Sequence, residues 1–309
     1  MKDIALIFPG QGAQKTGMGK ELFEQSSAAR AIFERANTRL GFDLTDVIFN
    51  GPEEKLMSTA FCQPAIFTVS IAAFEAFRSS LKCSGVRVRY AAGLSLGEYG
   101  ALCAAGVIAF EDGLDLIRQR SSFMEEAAQA APGKMAAVIG FDNDRLQAIC
   151  LEADCEVANY NAPDQTVITG QALKVAKAVE MLTAEGCRKV IPLEVSGAFH
   201  SSLMRPAAEK FAAILKPEAF RITDIPVITN VNARPQTAVN EILANLPKQI
   251  CSSVQWVDTV RFIAAQGISD MVEIGPGRVL KGLIRKIDPS INVQNIQQPA
   301  DIDALVFAS

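Results

Sequence analysis

Apolar and polar residues alternate along this chain with two periods, and the change between them predicts strands and helices in turn. A continuous apolar run predicts a buried strand at 2–8, and apolar residues three and four positions apart predict helices over most of 19–81. A second β-prone run, from Val86 to Gly93, passes directly into a helix. Later segments continue this alternation, with predicted helices at 110–124, 203–215, 242–250, 255–266 and 278–286 and strands at 225–229 and 270–274. We therefore expect an α/β fold with a parallel sheet.

The middle of the chain has a different order of predicted strands and helices, which begins after the Ala-Pro-Gly sequence at 131–133. It predicts, in order, a strand at 135–140, a helix at 144–153, strands at 155–160 and 165–170, a helix at 173–185 and a strand at 188–193. The order βαββαβ is that of a ferredoxin-like unit. We expect a small ferredoxin-like domain at 131–195, inserted into a large α/β domain made of 1–130 and 196–309.

The junction between the second strand and its helix reads Gly93-Leu94-Ser95-Leu96-Gly97. A serine in Gly-x-Ser-x-Gly between a strand and a helix sits on a tight turn, with its hydroxyl projecting and small neighbours that admit a substrate. The N–H groups that begin the next helix point to where an oxyanion would form. An ordinary turn that contains serine is the alternative.

The chain has a single histidine, His200, in a loop of small residues just before a predicted helix. One histidine cannot build a multi-histidine metal site, so no metal centre is expected. Imidazole is the usual base at neutral pH, and any serine–histidine chemistry here must use this residue. A surface or structural histidine is the alternative.

Two other features could supply binding groups. The glycine-rich loop at 9–14 matches neither the phosphate-binding nor the dinucleotide-binding spacing of glycines, but its backbone N–H groups could serve an oxyanion. Arg118 and Arg120 lie two positions apart on a predicted helix, so at most one of them points inwards. Their spacing does not choose between them.

Composition limits the class of protein. Hydrophobic residues make up 49% of the 309 residues and the net charge is −4, which argues against a nucleic-acid-binding surface and gives no sign of membrane binding. No segment has the uninterrupted apolar length expected of a membrane span, and the N-terminus has no signal-peptide pattern. The seven cysteines are scattered without a C-x-x-C motif, which predicts reduced, mostly buried thiols in a cytoplasmic protein.

Five motifs occur in an order that resembles one family over essentially the whole chain. They are Phe8-Pro9-Gly10-Gln11-Gly12-Ala13-Gln14, Gly93-Leu94-Ser95-Leu96-Gly97-Glu98, Gly197-Ala198-Phe199-His200-Ser201, Val254-Gln255-Trp256 and Glu273-Ile274-Gly275-Pro276-Gly277. Together they resemble the malonyl-CoA:acyl carrier protein transacylases of type II fatty acid synthesis. The resemblance implies a large α/β-hydrolase-like domain with a ferredoxin-like insert.

The resemblance also implies roles for individual residues. Ser95 would be the nucleophile that takes the malonyl group from malonyl-CoA, and His200 the base and acid that serves it. The backbone carbonyl of Gln249 would orient the imidazole in place of a carboxylate. The backbone N–H groups of Gln11 and Leu96 would form the oxyanion hole.

In the family pattern, Arg120 is the arginine that holds the malonyl carboxylate, for which a planar fork of donors is suited. Phe199 would contact the substrate, because family members that select methylmalonyl tend to have a smaller residue there. Two positions depart from the common pattern. Leu94 stands where many members have histidine, and Ala198 stands where proline is frequent.

The resemblance predicts a cytoplasmic, monomeric acyltransferase that needs no cofactor and has malonyl-CoA and acyl carrier protein as its partners. Its acyl-serine intermediate would imply a ping-pong mechanism. Three alternatives remain at this point: a serine thioesterase or hydrolase, a discrete acyltransferase of a polyketide synthase, and a non-catalytic binding module. The first differs in transferring the acyl group to water.

Overall fold

The computed structural model describes residues 1–307. The strands are β1 Lys2–Phe8, β2 Val86–Gly93, β3 Gly133–Ile139, β4 Glu156–Ala162, β5 Gln165–Gln171, β6 Lys189–Pro192, β7 Val227–Ile228, β8 Pro235–Gln236, β9 Asp270–Ile274 and β10 Asn292–Ile296. The helices are α1 Lys20–Gln25, α2 Ser27–Leu40, α3 Leu44–Asn50, α4 Glu53–Met57, α5 Thr59–Arg78, α6 Leu81–Ser84, α7 Gly97–Ala104, α8 Phe110–Ala130, α9 Asn143–Ala153, α10 Ala172–Ala184, α11 Arg205–Ile214, α12 Val239–Ile250, α13 Trp256–Ala265, α14 Val279–Ile287 and α15 Pro299–Asp303.

Six strands form the larger sheet, in the order β10-β9-β1-β2-β7-β8. All neighbouring strands run parallel except β7 and β8, which are antiparallel. The predicted α/β fold with a parallel sheet is therefore confirmed. Because β1 and β2 are adjacent and parallel, the loops that follow them lie side by side at the carboxyl edge of the sheet.

The central strand β1 is buried on both faces, which explains its continuous apolar sequence. Its alternate side chains enter two different clusters. Ile4, Leu6 and Phe8 pack with the core that includes α5, α7 and α8. Ala5 and Ile7 pack with the core that includes α13 and α14.

The expectation that no segment has the apolar length of a membrane span is wrong for helix α5. Its 20 residues are long and apolar enough by length and mean hydropathy. However, 83% of the most apolar window is buried inside the protein, against α2 and α8 among others. Its apolar character is that of a central helix of the core, and Gln63 is a polar exception within it.

The second sheet is antiparallel and contains four strands in the order β4-β5-β3-β6. The helices α9 and α10 pack on it around a separate apolar cluster. The helices and strands predicted between 131 and 195 are all found, with ends shifted by one or two residues in most cases. The edge strand β4 is joined to the rest of the protein through Val254, which exchanges backbone hydrogen bonds with Ala158 and Tyr160.

The prediction was less complete near the C-terminus. The strand expected at 225–229 is only the two-residue β7, while β8, β10 and α15 were not predicted. The sequence of β10 is Asn-Val-Gln-Asn-Ile, whose polar residues weaken the apolar signal of a buried strand. It forms because it pairs with β9 at the edge of the larger sheet.

Candidate active site

Ser95 lies at the turn between β2 and α7, in the left-handed region with φ 52°. A residue other than glycine is uncommon there, and such conformations occur at functional turns. The glycines on either side permit the close approach of the chain. A Cβ on Gly93 would lie 2.0 Å from the backbone of Gly97, and one on Gly97 would lie 2.1 Å from the carbonyl oxygen of Phe8.

His200 faces Ser95 directly. The distance from Ser95 Oγ to His200 Nε2 is 2.8 Å, and His200 Nδ1 lies 2.8 Å from the backbone oxygen of Gln249. Since a carbonyl oxygen only accepts, Nδ1 carries the proton and Nε2 is free to accept the serine hydroxyl proton. The expected serine, histidine and glutamine thus form one chain of hydrogen bonds, with no carboxylate as its third member.

The smaller sheet helps to hold the histidine loop. Thr169, on β5, donates its hydroxyl hydrogen bond to the backbone oxygen of Phe199 at 3.0 Å. Within the loop, Ser201 Oγ donates to the carbonyl oxygen of Ala198 at 2.6 Å, and His200 itself has φ 59°. The loop that carries His200 is therefore held by the smaller sheet as well as by a hydrogen bond of its own.

His200 is only 5% exposed, which governs its protonation. Burial, together with the positive charge of Arg120, lowers the pKa of His200 to about 4, while the carbonyl of Gln249 opposes this shift. The imidazole is consequently neutral at physiological pH. A neutral imidazole is the form that can accept a proton.

Gln11 and Leu96 lie on the two loops at the carboxyl edge of the larger sheet, and both line the cleft around Ser95. Leu96 immediately precedes α7, so its N–H belongs to the positive end of that helix. The neighbouring loop is held by Gly12, whose N–H donates to Gln14 Oε1 at 2.8 Å. Within residues 1–307, the N–H groups of Gln11 and Leu96 donate no hydrogen bond to a protein acceptor.

Arg120 points inwards from α8 and is 1% exposed, whereas Arg118 is exposed. Its Nη1 donates to Gln63 Oε1 at 2.7 Å, and its Nη2 donates to Gln249 Oε1 at 3.1 Å and to Ser95 Oγ at 3.2 Å. Burial lowers its pKa, and the ring of Tyr99 lies beneath the guanidinium, 5.7 Å away. Arg120 forms no ion pair in the described part of the chain, and its Nε has no acceptor there.

These groups open into a cleft of about 290 Å³ between the two sheets. Its polar end holds Ser95, Arg120 and His200, and Phe199 lies on its wall. Leu94, the residue before the nucleophile, also lines it. The remaining apolar wall includes three methionines, Met57, Met124 and Met135. Met135 comes from β3, so the smaller sheet completes the wall of the cleft.

Three buried polar residues of the site were not singled out from the sequence. Gln63 holds Arg120, and Asn230 accepts the N–H of Ser95 at 2.6 Å and donates to Gly93 at 2.7 Å. Glu98 is fully buried beneath the nucleophile. Gln63 could have been noticed as a lone amide within an apolar helix, but Asn230 lies in a loop with no local signal.

The chain offers no cluster of three or more metal-binding side chains within the described residues. All seven cysteines are free, and four of them are buried. The expectation of reduced, mostly buried thiols agrees with this arrangement.

A strained serine paired with a neutral histidine, beside unpaired backbone N–H groups, defines the class of enzymes that form an acyl-serine. The family model described as acyl transferase domain matches residues 5–298. The chain belongs to this acyltransferase family.

Individual relatives cover nearly the full length. The malonyl CoA-acyl carrier protein transacylase of Bacillus subtilis (strain 168) is 41% identical, over 99% of this chain and 97% of its own. The structure of a malonyl-CoA:acyl carrier protein transacylase from Xanthomonas oryzae is 39% identical with a TM-score of 0.93, covering 99% of this chain and 100% of that one. A malonyl-transacylase solved in complex with a type II PKS acyl-carrier protein is 34% identical with a TM-score of 0.92, covering 98% of both chains.

Proposed function

We propose that this enzyme transfers a malonyl group from malonyl-CoA to the phosphopantetheine thiol of an acyl carrier protein, supplying fatty acid synthesis. The observation that carries the proposal is the position of a buried arginine 3.2 Å from a serine hydroxyl that already contacts its base. An acyl group that ends in a carboxylate would satisfy Arg120 while its thioester carbonyl reaches Ser95 Oγ. The names of the relatives support the same substrate and acceptor.

In the first half-reaction, Ser95 Oγ bonds to the thioester carbonyl carbon as its proton passes to His200 Nε2. The bond from carbon to sulfur then breaks, and the proton on His200 goes to the departing coenzyme A thiolate. The second half-reaction reverses the roles: the carrier thiol gives its proton to His200 and attacks the malonyl-serine ester, and Ser95 recovers the proton. Neither half needs an oxidant, a metal or another cofactor.

The developing oxyanion is assigned to the backbone N–H groups of Gln11 and Leu96. Both line the cleft, have no other protein acceptor within residues 1–307, and lie on loops that follow adjacent parallel strands. Each such donor typically contributes about 10²–10³ in rate. The carbonyl of Gln249 holds the imidazole in the correct tautomer, which a carboxylate does in many serine enzymes.

The proposal is tested by incubating the enzyme with malonyl-CoA, with and without a holo acyl carrier protein. We expect a stoichiometric malonyl-enzyme by intact-protein mass spectrometry, followed by malonyl carrier protein after the acceptor is added. Rapid release of free malonate without transfer would instead identify a hydrolase. Transfer to a polyketide carrier protein alone would identify the polyketide acyltransferase, an alternative that the PKS-associated relative keeps relevant.

Replacing Arg120 by alanine is expected to lower acylation by malonyl-CoA about 100-fold, because the substrate carboxylate would lose charge-assisted hydrogen bonds. Acylation by acetyl-CoA, which lacks that carboxylate, should change much less. Rates of adduct formation with both thioesters measure this selectivity. Arg118→Ala is the matched control, since Arg118 lies on the same helix but is exposed. An unchanged malonyl preference in Arg120→Ala would show that the carboxylate binds elsewhere.

The acylation rate should rise with pH through an apparent pKa near 4 and remain level through neutrality. The reason is that His200 must be neutral to accept the serine proton, and its pKa is lowered to about 4. The rate of adduct formation between pH 3.5 and 8 measures the curve. In Arg120→Ala the curve should move to higher pH, because Arg120 is one of the two causes of the low value. If the acylation rate of the unmodified enzyme instead rose with an apparent pKa near the ordinary histidine value of 6.5, the low pKa of His200 would be contradicted.

We also infer that Phe199 restricts the substituent on the acyl group, since its side chain lies on the cleft wall. The smaller unit is inferred to be a ferredoxin-like domain at 131–195, inserted into an α/β-hydrolase-like domain of 1–130 and 196–309. Its strand order and its separate core support this division.

We further propose that the enzyme acts as a monomer in the cytoplasm, where free cysteines such as these persist.

A further inference from the structure

Glu98 is a buried carboxylate that the reaction steps above do not use. It lies in the first turn of α7, three residues after the nucleophile, and it is 0% exposed. Burial raises its pKa, while hydrogen bonds from Gln249 and Asn230 and the positive charge of Arg120 act in the opposite direction. A buried acidic group is costly unless its oxygens are paired, so its partners indicate what it does.

The carboxylate of Glu98 receives three hydrogen bonds from neutral donors. Oε2 accepts from the side-chain amide of Gln249 at 2.7 Å and from the backbone N–H of Asn230 at 3.1 Å. Oε1 accepts from the amide of Gln236 at 3.3 Å. All three partners come from segments beyond 229, so Glu98 joins the nucleophile helix to distant parts of the chain.

Gln249 forms hydrogen bonds with Ser95, Arg120 and His200. Its amide nitrogen also donates to the carbonyl oxygen of Ser95 at 2.9 Å, its amide oxygen accepts from Arg120, and its backbone oxygen accepts from His200. An ionised carboxylate can only accept hydrogen bonds. Glu98 and the carbonyl oxygen of Ser95 together hold the amide nitrogen of Gln249 on their side, which leaves the amide oxygen facing Arg120.

The arrangement also separates two opposite charges by one neutral group. Glu98 is a negative group near Arg120 and favours its charged form, but the side chain of Gln249 lies between them. A carboxylate bonded directly to the guanidinium would compete with the carboxylate of a substrate. Acting through an amide, Glu98 balances the charge while leaving Arg120 able to bind a substrate.

We propose that Glu98 is a positioning residue that sets the orientation of Arg120 and His200 towards Ser95 through the side chain of Gln249. The inference rests on the proposed malonyl transfer. It assigns to Glu98 no contact with the substrate. Because Glu98 acts on the arginine that binds the malonyl carboxylate, its loss should change the choice of acyl group as well as the rate.

The test compares Glu98→Gln, Gln249→Ala and the double variant in single-turnover acylation with malonyl-CoA and with acetyl-CoA. Glutamine keeps the size of Glu98 but removes its negative charge, so Gln249 loses the charge-assisted hydrogen bond that helps to hold its amide. We expect Glu98→Gln to lower malonyl acylation about 10- to 100-fold and to reduce the malonyl preference. When Gln249 is already alanine, adding Glu98→Gln should lower the malonyl acylation rate by about twofold or less. The reason is that the Gln249 side chain, through which Glu98 acts, is then absent.

Glu273→Gln is the matched control. Glu273 is also a fully buried carboxylate with three donors, but these are the N–H groups of Leu280 and Lys281 and the amide of Asn295. It holds the start of α14, so its loss should lower thermal stability without changing the malonyl preference.

An unchanged malonyl preference in folded Glu98→Gln would overturn the proposal. So would a loss of acylation rate on Glu98→Gln that is as large in Gln249→Ala as in the unmodified enzyme. If Glu98→Gln does not fold by circular dichroism, Gln249→Ala alone decides, since it must show the loss of malonyl preference. Failure of the unmodified enzyme to form a malonyl adduct is a separate result. It would refute the malonyl transfer itself before any variant is compared.

Discussion

Ser95→Ala is expected to abolish the malonyl-enzyme adduct completely. The hydroxyl oxygen is the atom that bonds to the acyl carbon, and alanine offers no substitute for it. Transfer to the carrier protein should fall by at least about 10³, since enzymes of this kind without their nucleophile retain only the contribution of binding and the oxyanion hole. The measurement is intact-protein mass spectrometry after incubation with malonyl-CoA, combined with peptide mapping of the modified residue.

The fold should tolerate this change well, because Ser95 is half-buried and its backbone is held by Asn230 and Gln249 through N–H and carbonyl groups that alanine keeps. Ser122→Ala is a suitable control, as Ser122 is exposed on α8. It should acylate at the unmodified rate. A full-strength adduct on another residue of Ser95→Ala would refute the assignment of the nucleophile.

His200→Ala should have the second largest effect and lower acylation by about 10²–10⁴, the range that a general base contributes. The serine proton would have no acceptor at 2.8 Å, and no second histidine exists in the chain to replace it. Acylation is measured by rapid quenching and mass spectrometry, with thermal unfolding as the check on folding. Truncation leaves a space beside Ser95, so added imidazole should restore part of the rate.

The rescue experiment separates loss of the base from damage to the structure. Imidazole has no means of repairing a misfolded protein, whereas it can accept a proton in the vacated space. His200→Ala that acylates as fast as the unmodified enzyme would show that another group acts as base. Binding of malonyl-CoA should persist in this variant, because Arg120 and its partners Gln63 and Gln249 are unchanged.

The elements that the sequence predicted well are those with a strong local signal. β1 is continuously apolar because both of its faces are buried, and β2 runs into a glycine-bounded serine turn. The weakest predictions concern β7, β8 and β10, which are short or polar and form only by pairing with strands already in place. Strand formation at a sheet edge depends on a partner that local periodicity does not describe.

The same contrast, between features with a local sequence signal and features that depend on tertiary partners, applies within the candidate active site. The candidate nucleophile Ser95 could be found because its turn needs particular neighbours, and the candidate base His200 because the chain has only one histidine. The choice of Arg120 over Arg118 could not be made from their spacing and followed from the family pattern. In the structure Arg120 is the buried one, held by Gln63 and Gln249 from two other helices.

The sequence by itself determined the alternation of strands and helices, including the second group of strands and helices between 131 and 195, and the identity of a serine and a histidine suited to acyl transfer. Local backbone preference and the scarcity of one residue type are sufficient for those conclusions. Only the tertiary structure decided that Asn230 and the side-chain amide of Gln249 meet Glu98 beneath Ser95. Glu98 and Asn230 are ordinary polar residues in their own segments, and their contacts at the site arise from burial beside partners more than a hundred residues away.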